Sequence, residues 1–243
     1  MIPLNDENPT ELRPWMTLLL IAANLVVWWQ VQGAGVDYAT LEASVIDYGT
    51  YPCEITGQVN GACTVEGPGW SALLTSMFMH GGWMHLIGNM LFLWVFGNNI
   101  EDSMGHLRFL VFYVVCGLAA SFAHIYFSPA SNVPMVGASG AISGIMGAYI
   151  LLYPGARVRT FFPPFFFFRI RAFFFLLLWF VLQLYEGLGM QPTAEEGGVA
   201  VWAHIGGFVA GLLLIKVFDR PRLVEAKRHG VHLPPDEVAR LQW

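Results

Sequence analysis

The stretch VPMVGASGAISGIMGAYILLYP, residues 133–154, decides how this chain is read. It carries no charge, is apolar apart from a few hydroxyls, and is studded with glycine. Ser139 stands between Gly137 and Gly140, at the mouth of what reads as an apolar helix. Taken alone, a serine in that setting is a small residue at a helix-packing contact. It can also be a nucleophile. The remainder of the sequence has to separate the two.

The chain has 243 residues, of which 56% are hydrophobic and 12% charged. Its mean hydropathy is +0.54. A soluble domain of this size carries about twice that charged fraction. Six segments approach or reach the roughly 20 apolar residues that cross a hydrocarbon core. They lie at about 15–32, 83–99, 107–127, 137–153, 171–190 and 199–218. The composition therefore predicts an all-α, polytopic membrane protein whose single domain covers 1–243. An outer loop at 33–82, rich in Gly, Thr and aromatics, is expected to be ordered against the membrane, and a short tail occupies 219–243. The first segment has no small-residue cleavage site and reads as a retained span.

Orientation follows from the basic residues. All twelve Lys and Arg lie near the N-terminus, in the second-to-third and fourth-to-fifth loops, or at the C-terminal end; 33–82, 128–136 and 191–198 contain none. The positive-inside rule then puts those three loops outside and both termini in the cytoplasm, in a cell (plasma or inner) membrane. FFPPFFFF, 161–168, reads as aromatic anchoring at the cytoplasmic boundary. The net charge of −5 says little about partners, because the basic residues already serve topology; no nucleic-acid partner and no cofactor are expected.

Ionisable groups inside a span are costly, so they face the bundle interior and mark function. HGGWMHLIGN, 80–89, holds His80, His85 and Asn89. His85 and Asn89 are four apart and share one helix face. His80 precedes His85 across Gly81 and Gly82, which suggests a loop-to-helix junction. AHIGGFVAG, 203–211, places His204 roughly 9 Å below the outer surface, taking 1.5 Å of rise per residue. Ser139 lies near the outer end of the fourth span, so all three clusters fall in the outer half of the bilayer. Gly140 and Gly144, like Gly207 and Gly211, have the small-residue spacing that lets helix backbones approach closely. Such packing would bring Ser139 to His204, where a neutral imidazole can take the hydroxyl proton. The helix N-terminus, with His85 and Asn89, supplies donors for a developing oxyanion. His124 reads as a structural histidine. His80 and His85 lack a helical metal spacing and a nearby carboxylate, HExxH is absent, and no metal site is expected.

HGGWMHLIGNMLFLWVFGNNIED (80–102), GASGAISG (137–144) and AHIGGFVAG (203–211), in this order, resemble the rhomboid family of intramembrane serine proteases. With the span layout, the resemblance covers nearly the whole chain. It implies a six-helix bundle in which Ser139 is the nucleophile and His204 the general base. It gives His85, Asn89 and the Ser139 backbone oxyanion roles, His80 a structural role, and Glu101 a stabilising hydrogen bond. Gly137, Gly140, Gly207 and Gly211 frame the site. The family works as a Ser–His dyad without an essential acid. Three features depart from its pattern. Ser71 and Ala72 stand where a Trp–Arg pair is common, and Gly88 replaces a bulkier cleft residue. Ser143 stands where an aromatic often stacks on the histidine, so the imidazole here must be oriented some other way.

The implied activity is endoproteolysis of transmembrane segments of single-pass membrane proteins, in or near the outer leaflet. Substrate would pass the second or fifth helix; the fifth, poor in small-residue motifs, is expected to pack loosely. Two rivals come from other classes. A rhomboid-like protein that binds membrane clients without cutting them typically lacks the serine or the histidine, and this chain has both. A channel or transporter would favour buried Asp, Lys or Arg, which the spans do not carry. The physiological substrate and the oligomeric state are not written in the sequence.

Three cysteines complete the reading. Cys116 lies within the third span as an apolar filler. Cys53 and Cys63, in CEITGQVNGAC, fall in the outer loop and hence in an oxidising compartment. The glycines and Asn between them suit a chain reversal. A bridge is expected, worth about 2–3 kcal/mol in the chain-entropy account; the alternative is two free thiols.

Overall fold

The computed structural model describes residues 1–57, 63, 67–164, 166–189 and 200–241. In chain order the helices are α1 (Trp15–Gln30), α2 (Tyr38–Tyr48), α3 (Pro52–Thr56), α4 (Ala72–Thr75), α5 (Trp83–Phe92) and α6 (Asn98–Met104). After them come α7 (His106–Phe127), α8 (Ser139–Leu152), α9 (Ala172–Gly189), α10 (Val201–Phe218), α11 (Pro221–Arg228) and α12 (Pro235–Leu241). A π-helical turn at Leu93–Gly97 joins α5 to α6, so the second apolar segment continues to Met104. Among the described residues, α7 and α10 are long and apolar enough to cross a membrane, whereas α1, α8 and Ala172–Leu188 are shorter apolar helices.

The core is organised around α8, which is buried from Gly140 through Tyr149. It packs against α7 on one side and α10 on the other. A methyl group on Gly207 would overlap the Gly140 carbonyl oxygen, and one on Gly211 would overlap that of Gly144. The two backbones therefore touch, which only glycine allows. The buried free thiol of Cys116 fills the space beside Gly144 on the α7 side.

The expectation of an all-α chain is corrected by a three-stranded antiparallel sheet in the order β1 (Ile2–Asp6), β2 (Arg157–Phe162), β3 (Phe166–Arg171). Val158 and Thr160 are buried while Arg157 and Arg159 are exposed, a period-two alternation that a strand requires. The phenylalanines at 161–162 and 166–168 therefore belong to paired strands, which the sequence reading did not expect. Phe161 faces Phe167 across the pair and Phe162 faces Phe166, cross-strand aromatic pairs of the kind that stabilise a sheet.

Buried polar groups tie the ends of the helices together. The Glu101 carboxylate accepts from the Met16 and Thr17 amides at 2.9 and 2.8 Å and from Thr17 Oγ1 at 2.7 Å. These are first-turn N–H groups of α1, which have no acceptor within their own helix. His106 Nδ1 lies 2.5 Å from the same carboxylate. Lys227 of α11 donates to Asp102 at 2.8 Å. Arg228 donates to the Leu152 carbonyl at 2.7 Å, a cationic cap on the end of α8. Tyr149 of α8 donates its hydroxyl to Asp6 of β1.

The described residues of the 33–82 loop are folded rather than extended. The loop carries α2, α3 and α4, and it buries Tyr51, Cys53, Ala72 and Leu73. Cys53 and Cys63 are joined by a disulfide, with Cα atoms 5.8 Å apart. The Gln32 side chain, just beyond α1, accepts from the His80 amide and donates to the His80 carbonyl, both at 2.8 Å. That clamp holds the approach to α5 against the end of α1.

Candidate active site

The chain enters α8 through Gly137, whose φ of +121° lies where side chains other than glycine are strained. A Cβ at this position would stand 2.6 Å from His85 Nε2 and 3.4 Å from Asn89 Nδ2. Glycine thus lets the backbone run directly beneath these two side chains, two residues ahead of Ser139. The Gly137 amide donates to the Ser76 carbonyl at 2.8 Å and fixes the turn.

Ser139 is the first residue of α8, and its Oγ lies 2.8 Å from His204 Nε2. The backbone contact between α8 and α10 sets this distance, with Gly140, next to Ser139, touching Gly207, three residues beyond His204. The structure therefore brings together the serine and histidine that the sequence singled out.

His85 and Asn89 project from α5 toward the same space. The Gly81 amide donates to His85 Nδ1 at 3.3 Å. In the neutral ring Nδ1 is then the acceptor, and Nε2 carries the proton that faces Gly137. Asn89 is 8% exposed, and its Nδ2 has no acceptor among the described residues. Two donors are thus available beside the serine. The buried His80 ring lies edge-on to His85, with centroids 5.1 Å apart, and supports it without facing Ser139.

Ser139, His204, His85 and Asn89 line a cavity of about 1260 Å³ that also reaches Tyr38 and Leu41 of α2. Gly88 does not line this cavity, and an added Cβ there would meet nothing within 4 Å. Ala72 is buried and its carbonyl accepts from Thr50 Oγ1 at 2.9 Å, while Ser71 is exposed.

Ser143 does not turn to the imidazole. Its hydroxyl donates to the Ser139 carbonyl at 2.7 Å, a bond within α8. The groups that flank His204 come instead from α9, and sequence reasoning missed them. Gln183 Oε1 is hydrogen-bonded to His204 Nδ1. Gln183 Nε2 donates to Glu186 Oε2 at 2.9 Å. The Trp179 ring lies 5.8 Å from the His204 ring, tilted by 42°. Positions 179, 183 and 186 share one helix face. An amide in an otherwise apolar span, with a carboxylate one turn later, is the available signal.

Residues 67–220 match the rhomboid domain family. This chain belongs to the rhomboid family. The matched region holds His85, Asn89, Ser139 and His204, and rhomboids are membrane proteins, in keeping with the apolar helices here. The chain is similar to the rhomboid protease GluP of Bacillus subtilis (strain 168), with 29% identity over 212 residues, covering 86% of this chain and 36% of that protein. It is 32% identical over 149 residues to RHOMBOID-like protein 5 of Arabidopsis thaliana, covering 61% of this chain and 44% of that one. RHOMBOID-like protein 4 of the same plant is 32% identical over 168 residues, covering 67% and 39%. The chain thus spans less than half the length of these curated relatives.

Proposed function

We propose that this rhomboid is an intramembrane serine endopeptidase. The observation that carries the reading is the 2.8 Å approach of Ser139 Oγ to His204 Nε2, inside a cavity that also receives the Asn89 and His85 donors. In the proposed reaction Ser139 Oγ attacks the scissile carbonyl carbon while His204 Nε2 takes its proton. The carbonyl oxygen becomes an oxyanion within reach of His85 Nε2–H, Asn89 Nδ2–H and the Ser139 amide. The imidazolium then protonates the leaving amine as the C–N bond breaks. Water, deprotonated by the same imidazole, hydrolyses the acyl-enzyme and restores the serine hydroxyl.

The substrates would be transmembrane segments of single-pass proteins, cut in or near the outer leaflet. Small residues at the cut suit an extended backbone that must reach a recessed serine. In this reading six segments cross a cell membrane, both termini are cytoplasmic, and the loop bearing Cys53 and Cys63 faces outside. The fourth segment begins below the surface, since the 14 residues of α8 reach only about 21 Å. Substrate would approach past α5 or α9.

The test is cleavage of a single-span test substrate by purified protein in liposomes. Wild type should cut, and Ser139→Ala and His204→Ala should not, with all three melting at similar temperatures. Equal cleavage by wild type and Ser139→Ala would overturn the proposal.

A further inference from the structure

For His204 to take a proton at Nε2, that nitrogen must present a lone pair, so the ring proton must sit on Nδ1. Nothing in the serine decides this, because a hydroxyl can donate or accept. The deciding contact is on the other side of the ring, where Nδ1 meets the side-chain amide of Gln183. An amide has a donor end and an acceptor end, and its own orientation has to be set by a further neighbour. That neighbour is Glu186, 2.9 Å from Gln183 Nε2. An ionised carboxylate only accepts, so the NH₂ end of Gln183 must face Glu186 and the carbonyl end must face His204. A carbonyl oxygen also only accepts, so Nδ1 carries the hydrogen. The three hydrogen bonds then run in one direction: Ser139 donates to His204, His204 to Gln183, and Gln183 to Glu186, which only accepts.

We propose that Gln183 is the positioning residue of the His204 base and that Glu186 sets the orientation of its amide. This inference rests on the dyad reading above. Gln183 is 8% exposed, and a carboxylate in its place would carry a costly charge into a buried site. The amide transmits the polarity of Glu186, which lies nearer the surface, without bringing that charge against the imidazole. When His204 becomes an imidazolium, Nδ1–H already points at a carbonyl oxygen, so no rearrangement is needed. Trp179, on the same face of α9, bounds the ring from the side. The device also makes the base conditional. Ser139 and His204 belong to α8 and α10, whereas everything that orients the imidazole belongs to α9. The base is aligned only while this turn of α9 is seated.

The test compares wild type, Gln183→Leu, Gln183→Glu and Glu186→Gln in liposomes. It measures kcat and KM for a single-span substrate across pH, with melting temperatures alongside. Other titratable groups acting on His204 are His85 from α5 and His124 from α7, which the variants leave unchanged; α8 presents Ser139. Gln183→Leu should lower kcat by about 10², short of the roughly 10⁴ lost when the acid of a serine triad becomes an amide. Its KM should stay within about two-fold, because an orienting group acts on the reacting state and not on substrate binding. Gln183→Glu should keep measurable activity and move the acid limb of kcat/KM to higher pH, since a carboxylate on Nδ1–H holds the imidazolium more tightly. Glu186→Gln should lower kcat less than Gln183→Leu, because the amide loses its director and not its place. A role confined to helix packing would leave the acid limb where it is in wild type.

Wild-type kcat and pH profile in Gln183→Leu would overturn the inference. If that variant does not fold, an unmoved acid limb in Gln183→Glu overturns it equally. Failure of wild type to cleave would instead defeat the dyad reading and this inference with it. Cleavage that depends on Ser139 but ignores Gln183 defeats this inference alone.

Discussion

Against α8, helix α10 lies backbone on backbone, with Gly207 over the Gly140 carbonyl and Gly211 over that of Gly144. Against α9 the same helix is held mainly through side chains, its own Val201 and Ile205 packing against Gly187. Phe180 stacks on Phe208 at 4.6 Å, Trp179 lies 5.8 Å from His204, and Gln183 bonds the imidazole. The first interface has no rotamers to change, so it either holds or separates. The second can be undone by turning a few side chains. The outward face of α9 is apolar and exposed, as at Leu182 (46%) and Tyr185 (78%), a surface suited to lipid. The distance between Ser139 Oγ and His204 Nε2 is thus set by the contact that cannot adjust. Orientation of the base, and in the proposed reaction access for substrate, belong to the contact that can.

The harshest way to break this contrast is Gly211→Ala. Its single methyl group would land on the Gly144 carbonyl and force α8 and α10 apart. The expected loss is about 3 kcal/mol, the upper part of the range for overpacking. Thermal unfolding in detergent measures it, and cleavage should fall as the Ser139–His204 distance opens. A variant that melts like wild type would mean the backbone contact is not what holds the pair.

A pH series sharpens the same contrast at the other end of α8, where Tyr149 is held by Asp6. Burial pushes the Asp6 carboxyl from 3.8 up to about 6, against the opposing pull of the Tyr149 hydrogen bond and the Lys227 ammonium. A raised folded-state value means that the folded protein binds this proton more tightly than the unfolded chain does. The stabilisation is therefore complete below about 3.8 and is lost as pH rises through about 6. Its full size is about 3 kcal/mol. Denaturant midpoints should fall between about pH 4 and about pH 7 in wild type and stay flatter in Asp6→Asn. A midpoint that rises with pH by the same amount would reverse the sign of this assignment.

The smallest effect is expected on α9. Tyr185→Ala should change stability by no more than about 0.5 kcal/mol, as for exposed positions in general. Cleavage should persist. A loss several times larger in the same thermal unfolding measurement would show α9 to be locked as firmly as α8.

Much of this arrangement is legible in the sequence, and the reasons differ from part to part. Uninterrupted apolar runs announce the helices, so the segment at 107–127 becomes His106–Phe127 and that at 199–218 becomes Val201–Phe218. Ser139 and His204 stand out because each is polar, lies in an apolar run, and has glycines within three residues. The sheet is legible only in part. The alternation in RVRT and RIR was present, but the phenylalanines between them also suit a membrane boundary. Gln183 was hidden for another reason. Its partner lies 21 residues away on the next helix, and one amide in a span has no periodicity to betray it. Ser143 raised the right question, since no aromatic stands there, but the answer lay on a helix that the sequence marks only as apolar.

The most direct measurement is labelling of the intact protein with a fluorophosphonate, with the modified residue located by mass spectrometry. Such a probe reacts with a serine only when a neighbouring base makes it nucleophilic. Labelling is predicted at Ser139 in wild type and should be lost in His204→Ala protein that retains the wild-type fold. No labelling of wild type, or equal labelling with and without His204, would contradict the account.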